Sequence, residues 1–168
     1  VELRFVHDVN AVLLGAIRML DLRGSNAALV TLGTGLGFSY AIGGKVQCNA
    51  AGSPARSLWD IPATGGGILE DTLSARGISS EYAELTGQRS RTPAAIARMA
   101  YAGDADSARV YALTGRRLGE ALRPVLKELA IDRLLLGGQI ANSLSLMLSP
   151  LRDALPGVEI LQAPQGSV

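Results

Sequence analysis

The stretch ALVTLGTGLGFSYAIGGKV (residues 28–46) runs from one apolar strand into a second through a turn crowded with glycine. Three glycines, Gly33, Gly35 and Gly37, alternate with other residues across that turn. Reversing the chain in a hairpin needs only one or two residues at positive φ, so three bare positions exceed that requirement. The surplus predicts that another group comes close to the backbone at this turn.

Two familiar nucleotide motifs do not fit the turn. A Rossmann fingerprint needs its glycines to open a helix, whereas FSYAIGGKV (residues 38–46) alternates like a strand. A P-loop needs Gly-Lys-Ser/Thr, which the stretch lacks. The stretch is therefore interpreted as a strand–turn–strand in which the N–H groups of the turn and the Thr34 hydroxyl face a common space. This arrangement is typical of a phosphate site. A plain hairpin with a β-bulge is the alternative interpretation.

A second glycine pair lies at the end of another predicted strand. In LLLGGQIAN (residues 134–142) an apolar run ends at Gly137 and Gly138 just where a helix is predicted to begin. The carboxyl end of a strand beside a helix N-terminus is where α/β sheets hold nucleotides. Either glycine motif is weak by itself, but two in one domain favour nucleotide binding.

The composition excludes several classes of function. The 168 residues carry a net charge of +1, and aromatic residues make up 4%, so neither a nucleic-acid surface nor a base-stacking platform is predicted. Hydrophobic residues make up 48%, yet no uncharged run is long enough to cross a bilayer. A single cysteine, Cys48, cannot form an internal disulfide, which favours a reducing cytoplasm.

The hydrophobic pattern predicts one α/β domain with a mixed sheet flanked by helices. Asp104 is a plausible N-cap for a long helix that Pro124 should kink. Both ends of the sequence look like cuts through a longer chain, which suggests that it is one lobe of a bilobal protein. The predicted strands lie near residues 3–6, 27–32, 38–42, 45–48, 132–138 and 158–161, and the helices near 9–22, 67–75, 80–86, 93–101, 104–129 and 140–154.

Four stretches together resemble ROK proteins (repressor, open reading frame, kinase), which are glucokinase-like sugar kinases and sugar-sensing repressors with the actin-like ATPase (ribonuclease H-like) fold. They are HDVNAVLLGA (7–16), TLGTGLGFSYAIGGKV (31–46), GGGILEDTLSARGI (65–78) and IDRLLLGGQIAN (131–142). The resemblance covers nearly the whole chain in the family's order. It implies that residues 1–168 form the C-terminal lobe, and that the N-terminal lobe with its Asp-x-Gly-Gly-Thr motif is not in this chain.

The resemblance implies roles for several residues on the sugar side. The family's catalytic base matches Asp8, although an Asp before an apolar helix is also a good N-cap. His7 stands where the family has a sugar-binding Asn, and it is otherwise a simple loop histidine. The family's sugar-contacting Glu matches Glu70, which is equally explained as an acid favoured by the helix dipole.

On the nucleotide side, the resemblance implies ATP with Mg²⁺, the ion being held mainly by the phosphates. The family's second phosphate motif matches Gly33, Thr34 and Gly35, and its adenosine motif matches Gly137 and Gly138.

Two departures from the family concern the segment after Cys48. The sugar-clamping Glu-x-Gly-His is replaced by residues 53–56, where Arg56 offers a possible bidentate partner for an anionic sugar or is simply a solvated surface residue. The cysteine motif of the family's structural zinc site is absent, so no structural zinc is expected. Apolar packing of Leu58, Trp59 and Ile61 is predicted to hold this loop instead.

Two functions follow from this pattern. The first is an ATP-dependent carbohydrate kinase whose sugar shell is altered. The second is a non-catalytic ROK-type transcriptional regulator or a degenerate kinase. The expected partners are a sugar, the N-terminal lobe and further copies of the protein, with no membrane, and with nucleic acid only for the regulator.

Overall fold

A five-stranded mixed sheet forms the centre of the domain in the computed structural model, which describes residues 6–63 and 66–164. The strand order is β3-β2-β1-β4-β5, with antiparallel pairing among the first three strands along the chain and parallel pairing of β1 with β4 and of β4 with β5. The predicted mixed sheet is confirmed. The strands are β1 (Ala27–Leu32), β2 (Leu36–Ile42), β3 (Lys45–Val46), β4 (Arg133–Gly137) and β5 (Glu159–Gln162).

Helices cover both faces of the sheet. The helix α1 packs its buried Leu13 and Ile17 on one face, against Leu29 and Leu135. The larger core lies on the other face, where α5 and α6 pack most extensively. The helices are α1 (Asp8–Met19), α2 (Leu69–Leu73), α3 (Ala75–Thr86), α4 (Pro93–Tyr101), α5 (Ala105–Glu128) and α6 (Leu144–Ala154), and a 3-10 turn (Ile140–Ser143) precedes α6.

The long helix α5 begins as its sequence predicts. The Asp104 carboxylate accepts the backbone N–H of Ser107 at 2.8 Å, so Asp104 is the N-cap. Hydrogen bonding to Ser107 also holds the pKa of the Asp104 carboxyl below its ordinary value. The helix stays continuous for 24 residues through Pro124. Its apolar face packs into the larger core with Tyr111, Leu118, Leu122 and Val125 buried and Leu129 partly buried.

Several element boundaries differ from the prediction. The strand β2 begins at Leu36 because that residue still pairs with Leu32, while β3 ends at Val46. The helix α3 begins at Ala75 rather than near residue 80. Its Gly77 allows close packing, since a Cβ there would lie 2.4 Å from the carbonyl oxygen of Asp71. The helix predicted over 140–154 is a 3-10 turn followed by α6, and most of the strand predicted near residue 3 lies outside the described residues.

The end of β4 meets the end of β1 through a backbone contact that only glycine permits. Gly138 has φ +84°, and a Cβ built on it would lie 2.3 Å from the carbonyl oxygen of Leu32. A side chain at this position would therefore collide with the main chain of β1. The main chains of β1 and β4 therefore lie in direct contact where the two strands end.

The consequence is testable with a matched pair of glycines. Gly157 has a similar φ of +81°, but a Cβ on it would meet no atom within 4 Å among the described residues. Gly157→Ala should therefore lower the free energy of unfolding by only about 1–2 kcal/mol, which is the cost of placing an alanine in the left-handed conformation. Gly138→Ala should lower the free energy of unfolding by about 1–3 kcal/mol more, because its methyl group would overpack the contact with β1. Urea unfolding measures both free energies, and equal losses would show that β1 moves aside freely.

Candidate functional site

The two glycine turns lie at the same edge of the sheet. Strand β1 is central, and its Thr31 pairs with Gly37 of antiparallel β2 on one side and with Gly137 of parallel β4 on the other. The turn that follows β1 and the end of β4 are therefore neighbours. One nucleotide can contact both turns only if they share an edge of the sheet, and the topology meets this requirement.

Two of the three glycines in the first turn make room for groups of the protein itself. A Cβ on Gly37 would lie 2.3 Å from Oγ1 of Thr31, and a Cβ on Gly35 would lie 2.9 Å from Oε2 of Glu70. A Cβ on Gly33 would meet no atom within 4 Å in the described part of the chain. The open side of the turn is therefore at Gly33.

The backbone of this turn offers hydrogen-bond donors. The Gly33 N–H donates to the Gly35 carbonyl at 3.1 Å, and the Gly33 carbonyl accepts the N–H of Ala75 at 2.7 Å. Within residues 6–63 and 66–164, the N–H groups of Thr34 and Gly35 and the Thr34 hydroxyl have no hydrogen-bond partner. Consecutive free N–H groups of this kind suit an anion such as phosphate.

Two open cavities adjoin the turns. One, of about 540 Å³, is lined by Asp8, Thr31, Gly137 and Gly138, among others. The second cavity has a volume of about 690 Å³. Its lining includes Gly33, Thr34, Arg98, Tyr101 and the buried Tyr111, whose hydroxyl donates to the Pro93 carbonyl. Both cavities share Gln139 and Asn142, so the two glycine motifs line adjacent spaces.

Asp8 is the first residue of α1, and His7 occupies the N-cap position without a side-chain capping bond. Asp8 therefore does not occupy the N-cap position. Its Oδ1 accepts the Val9 N–H at 2.7 Å and lies 2.7 Å from Nδ1 of His7. With its side chain 81% exposed, Asp8 can reach a ligand in the first cavity, and the structure brings His7 beside it.

Asn10 holds the start of α1 in place. It is buried, and its Oδ1 accepts the hydroxyl of Ser39 at 2.6 Å. Its amide donates to the Gly52 carbonyl at 3.1 Å and to Sγ of Cys48 at 3.2 Å. These bonds join α1, β2 and the following loop two residues from Asp8. Sequence reasoning missed this role, although an Asn three residues before Leu13 on the apolar face of α1 was a usable signal.

The other predicted sugar-side residues are not all at the site. Glu70 lies against the first glycine turn, where its carboxylate accepts the Leu36 N–H at 2.9 Å. The Arg56 guanidinium instead pairs with Glu128 at 2.9 Å, at the end of α5 on the sheet face opposite α1. The structure therefore does not bring the Arg56 side chain together with Asp8.

The loop after Cys48 is held by part of the predicted apolar packing. Leu58 is buried and Ile61 packs against the same core, as predicted. The prediction for Trp59 is wrong, since its side chain is 48% exposed. Its backbone carbonyl holds the loop instead by accepting the N–H of Glu70 at 3.1 Å.

The described residues contain no group of three or more His, Cys, Asp and Glu side chains that could hold a metal ion. The absence of a structural zinc remains a prediction that elemental analysis can test. No helix in residues 6–63 and 66–164 is long and apolar enough to cross a membrane.

Comparison with solved structures identifies proteins of the same fold. A ROK family glucokinase from Streptomyces griseus, solved with glucose and AMPPNP, matches 96% of this chain and 63% of its own, with 22% identity and a TM-score of 0.79. The ROK hexokinase from Thermus thermophilus matches 95% of this chain and 59% of its own, with 22% identity and a TM-score of 0.76. The domain has the actin-like ATPase fold of ROK kinases.

A ROK family transcriptional regulator, homologous to the E. coli MLC protein, also shares the fold. It matches 94% of this chain and 46% of its own, with 20% identity and a TM-score of 0.81. The chain thus spans less than two thirds of each of these proteins. No family model matches the sequence, and no curated protein matches it.

The Asn10 network gives a second test of stability. Asn10→Ala should lower the free energy of unfolding by about 1–3 kcal/mol, because it leaves the buried Ser39 hydroxyl without its acceptor. Ser39→Ala should then cost less in the Asn10→Ala background than in the wild type. Urea unfolding of the four proteins measures this coupling, and strict additivity would contradict the network.

Proposed function

We propose that this chain is the C-terminal lobe of an ATP-dependent carbohydrate kinase of the ROK type, which transfers the γ-phosphoryl group of ATP to a sugar hydroxyl. The observation that carries the proposal is the adjacency of the two cavities. Asp8, Gly137 and Gly138 line the first, while Gly33 and Thr34 line the second. The shared fold of ROK kinases supports it.

In this proposal Asp8 is the catalytic base. Its exposed carboxylate accepts the proton of the sugar hydroxyl as that oxygen attacks the phosphoryl group. His7, which lies beside Asp8, donates a hydrogen bond to the sugar. Phosphoryl transfer depends mainly on positioning and charge stabilisation, so the buried Asn10 contributes by fixing the start of α1.

The nucleotide binds along the edge of the sheet. The free N–H groups of Thr34 and Gly35, with the Thr34 hydroxyl, bind phosphate oxygens, and the open space at Gly33 admits them. Gly137 and Gly138 bind the adenosine side. ATP supplies the phosphoryl group. Mg²⁺ would bind together with ATP and would be held by the ATP phosphates.

The rest of the proposed enzyme lies outside this chain. The chain covers 59–63% of the two kinases described above, and we propose that an N-terminal lobe completes the cleft. We further propose that the whole protein forms homo-oligomers in the cytoplasm. Water must leave the exposed Asp8 carboxylate before transfer, and closure of the second lobe over the sugar would remove it.

Two observations favour a sugar-sensing regulator as a second candidate. The ROK transcriptional regulator described above has the same fold, and Arg56, at the position of the family's sugar clamp, pairs with Glu128. The sequence upstream of this chain discriminates between the two functions. An Asp-x-Gly-Gly-Thr motif there supports the kinase, whereas a helix-turn-helix supports a regulator that binds nucleic acid.

Substitution of Asp8 tests the kinase directly. In the full-length protein, Asp8→Asn should lower kcat by at least about 100-fold, because the amide cannot accept the proton. The dissociation constant for ATP should stay unchanged. Asp21→Asn is the matched control, since Asp21 is an exposed carboxylate just beyond the other end of α1 and Asn tolerates its φ of 50°. Full activity of Asp8→Asn would remove Asp8 from the mechanism.

The choice of sugar gives a further test. The family's clamp supplies two charge-assisted hydrogen bonds of roughly 1.5–3 kcal/mol each, and residues 53–56 do not reproduce it. Plain glucose should therefore be a poor substrate, by orders of magnitude in kcat/KM, compared with the best sugar in a screen that includes acidic and N-acylated sugars.

Arg56→Ala is the control for this screen. Because Glu128 holds the guanidinium on the far face of the sheet, the variant should keep the same order of substrates. Efficient phosphorylation of glucose would show that other residues rebuild the clamp. A selective loss of the best substrate in Arg56→Ala would return Arg56 to the sugar site.

A further inference from the structure

Glu70 is held rigidly at its backbone. It is the second residue of α2, its N–H donates to the carbonyl of Trp59 at 3.1 Å, and its own carbonyl accepts the N–H of Ser74 at 3.0 Å. The peptide groups on both sides of the residue are therefore fixed, one to the preceding loop and one to the junction with α3. The direction in which the Glu70 side chain leaves the backbone is set by these two bonds.

The carboxylate of Glu70 reaches the turn between β1 and β2. Its Oε2 accepts the N–H of Leu36 at 2.9 Å, and a Cβ on Gly35 would lie 2.9 Å from the same oxygen. The absence of a side chain at Gly35 thus gives the carboxylate the space it occupies. A hydrogen bond to a charged acceptor is stronger than one between neutral groups.

A second bond ties the same helical segment to the other end of the turn. The N–H of Ala75, the first residue of α3, donates to the carbonyl of Gly33 at 2.7 Å. Together with the bond from Leu36 to Glu70, it holds the turn at both ends. Between them lie the N–H groups of Thr34 and Gly35, which have no partner within the described residues.

We infer that Glu70 is a positioning residue for the phosphate-binding turn, in addition to any contact that it makes with a sugar. This inference rests on the proposed function for its nucleotide, but the bond to Leu36 exists without any ligand. By holding Leu36, the carboxylate keeps the free N–H groups of Thr34 and Gly35 in the geometry that binds phosphate. Pre-organised donors avoid the cost of ordering a loose turn when the nucleotide binds.

The role requires an acceptor oxygen rather than a negative charge. A carboxylate beside a phosphate site repels the anion. The presence of the Glu70 carboxylate there is best explained by its hydrogen bond with Leu36. The amide of a glutamine also offers an oxygen that accepts the Leu36 N–H, and it lacks the charge. If Glu70 served only to bind a sugar through its negative charge, Glu70→Gln would abolish that binding.

The first experiment measures ATP binding to the full-length protein by calorimetry in the absence of sugar. Glu70→Ala should raise the dissociation constant about tenfold, because the turn is then no longer held and must be ordered when ATP binds. Glu70→Gln should stay within about threefold of the wild type, because it keeps the acceptor oxygen and removes the unfavourable charge.

Asp71→Ala is the matched control. Asp71 is the next residue, and its carboxylate accepts the N–H of Ile68 at 3.2 Å and pairs with Arg76. Its loss disturbs α2 without touching the turn, so ATP should bind as it does to the wild type. An equal loss of ATP binding in Asp71→Ala would attribute the effect to α2 as a whole and overturn the inference.

The second experiment follows hydrogen exchange of the Leu36 amide, which depends on Glu70 whether or not the protein binds ATP. Exchange at Leu36 should rise about tenfold in Glu70→Ala and return toward the wild-type rate in Glu70→Gln. A wild type that binds no ATP, with Leu36 still sensitive to Glu70→Ala, would overturn the proposed kinase but keep the positioning role. Unchanged exchange at Leu36, or a Glu70→Ala variant that loses only sugar binding, would overturn the positioning role.

Discussion

The parallel pairing of β1 with β4 is the constraint on which the candidate site depends. It brings the carboxyl ends of two strands that are distant in sequence to one edge of the sheet. The pairing ends in a backbone contact, where Gly138 lies too close to the carbonyl of Leu32 for any side chain. The pairing and this contact together bring the two turns that follow the strands close to each other.

Side chains from both faces of the sheet complete this edge. On one face, α1 presents Asp8, and the buried Asn10 fixes the start of that helix to β2 and to the loop that follows β3. On the other face, Glu70 and Ala75 hold the turn after β1 at its two ends. The site is therefore not a property of the glycine turns alone, since each turn is held in shape by helices that pack on the sheet.

Much of the architecture could be predicted because it depends on local pattern. The apolar face of α5, its N-cap at Asp104 and the apolar runs of β1 and β4 are readable within short windows, and the topology of parallel strands then places both glycine turns at one edge. The same local reasoning misplaced the start of α3, which begins at Ala75 and contains Gly77 in its first turn.

Contacts between distant residues could not be predicted in this way. The contact between Glu70 and Gly35 joins positions 35 residues apart, and the pair of Arg56 with Glu128 joins positions 72 apart. Both depend on the path of irregular loops, and no periodicity of the sequence encodes that path. A polar residue on an apolar helix face, such as Asn10, is a long-range feature that does carry a visible sequence signal.

The topology also has a consequence for the expected order of folding. Strands β1, β2 and β3 form a meander within 20 consecutive positions of the chain, whereas the paired residues of β1 and β4 lie 106 positions apart. Closing so long a loop is slow, so we expect the meander to form first and β4 to dock against it late. The turn after β1 would then form before β4 joins the sheet. A ligand that contacts both strand ends stabilises only molecules in which β4 has docked. Such a ligand would act on the last step of folding and, in reverse, on the first step of unfolding.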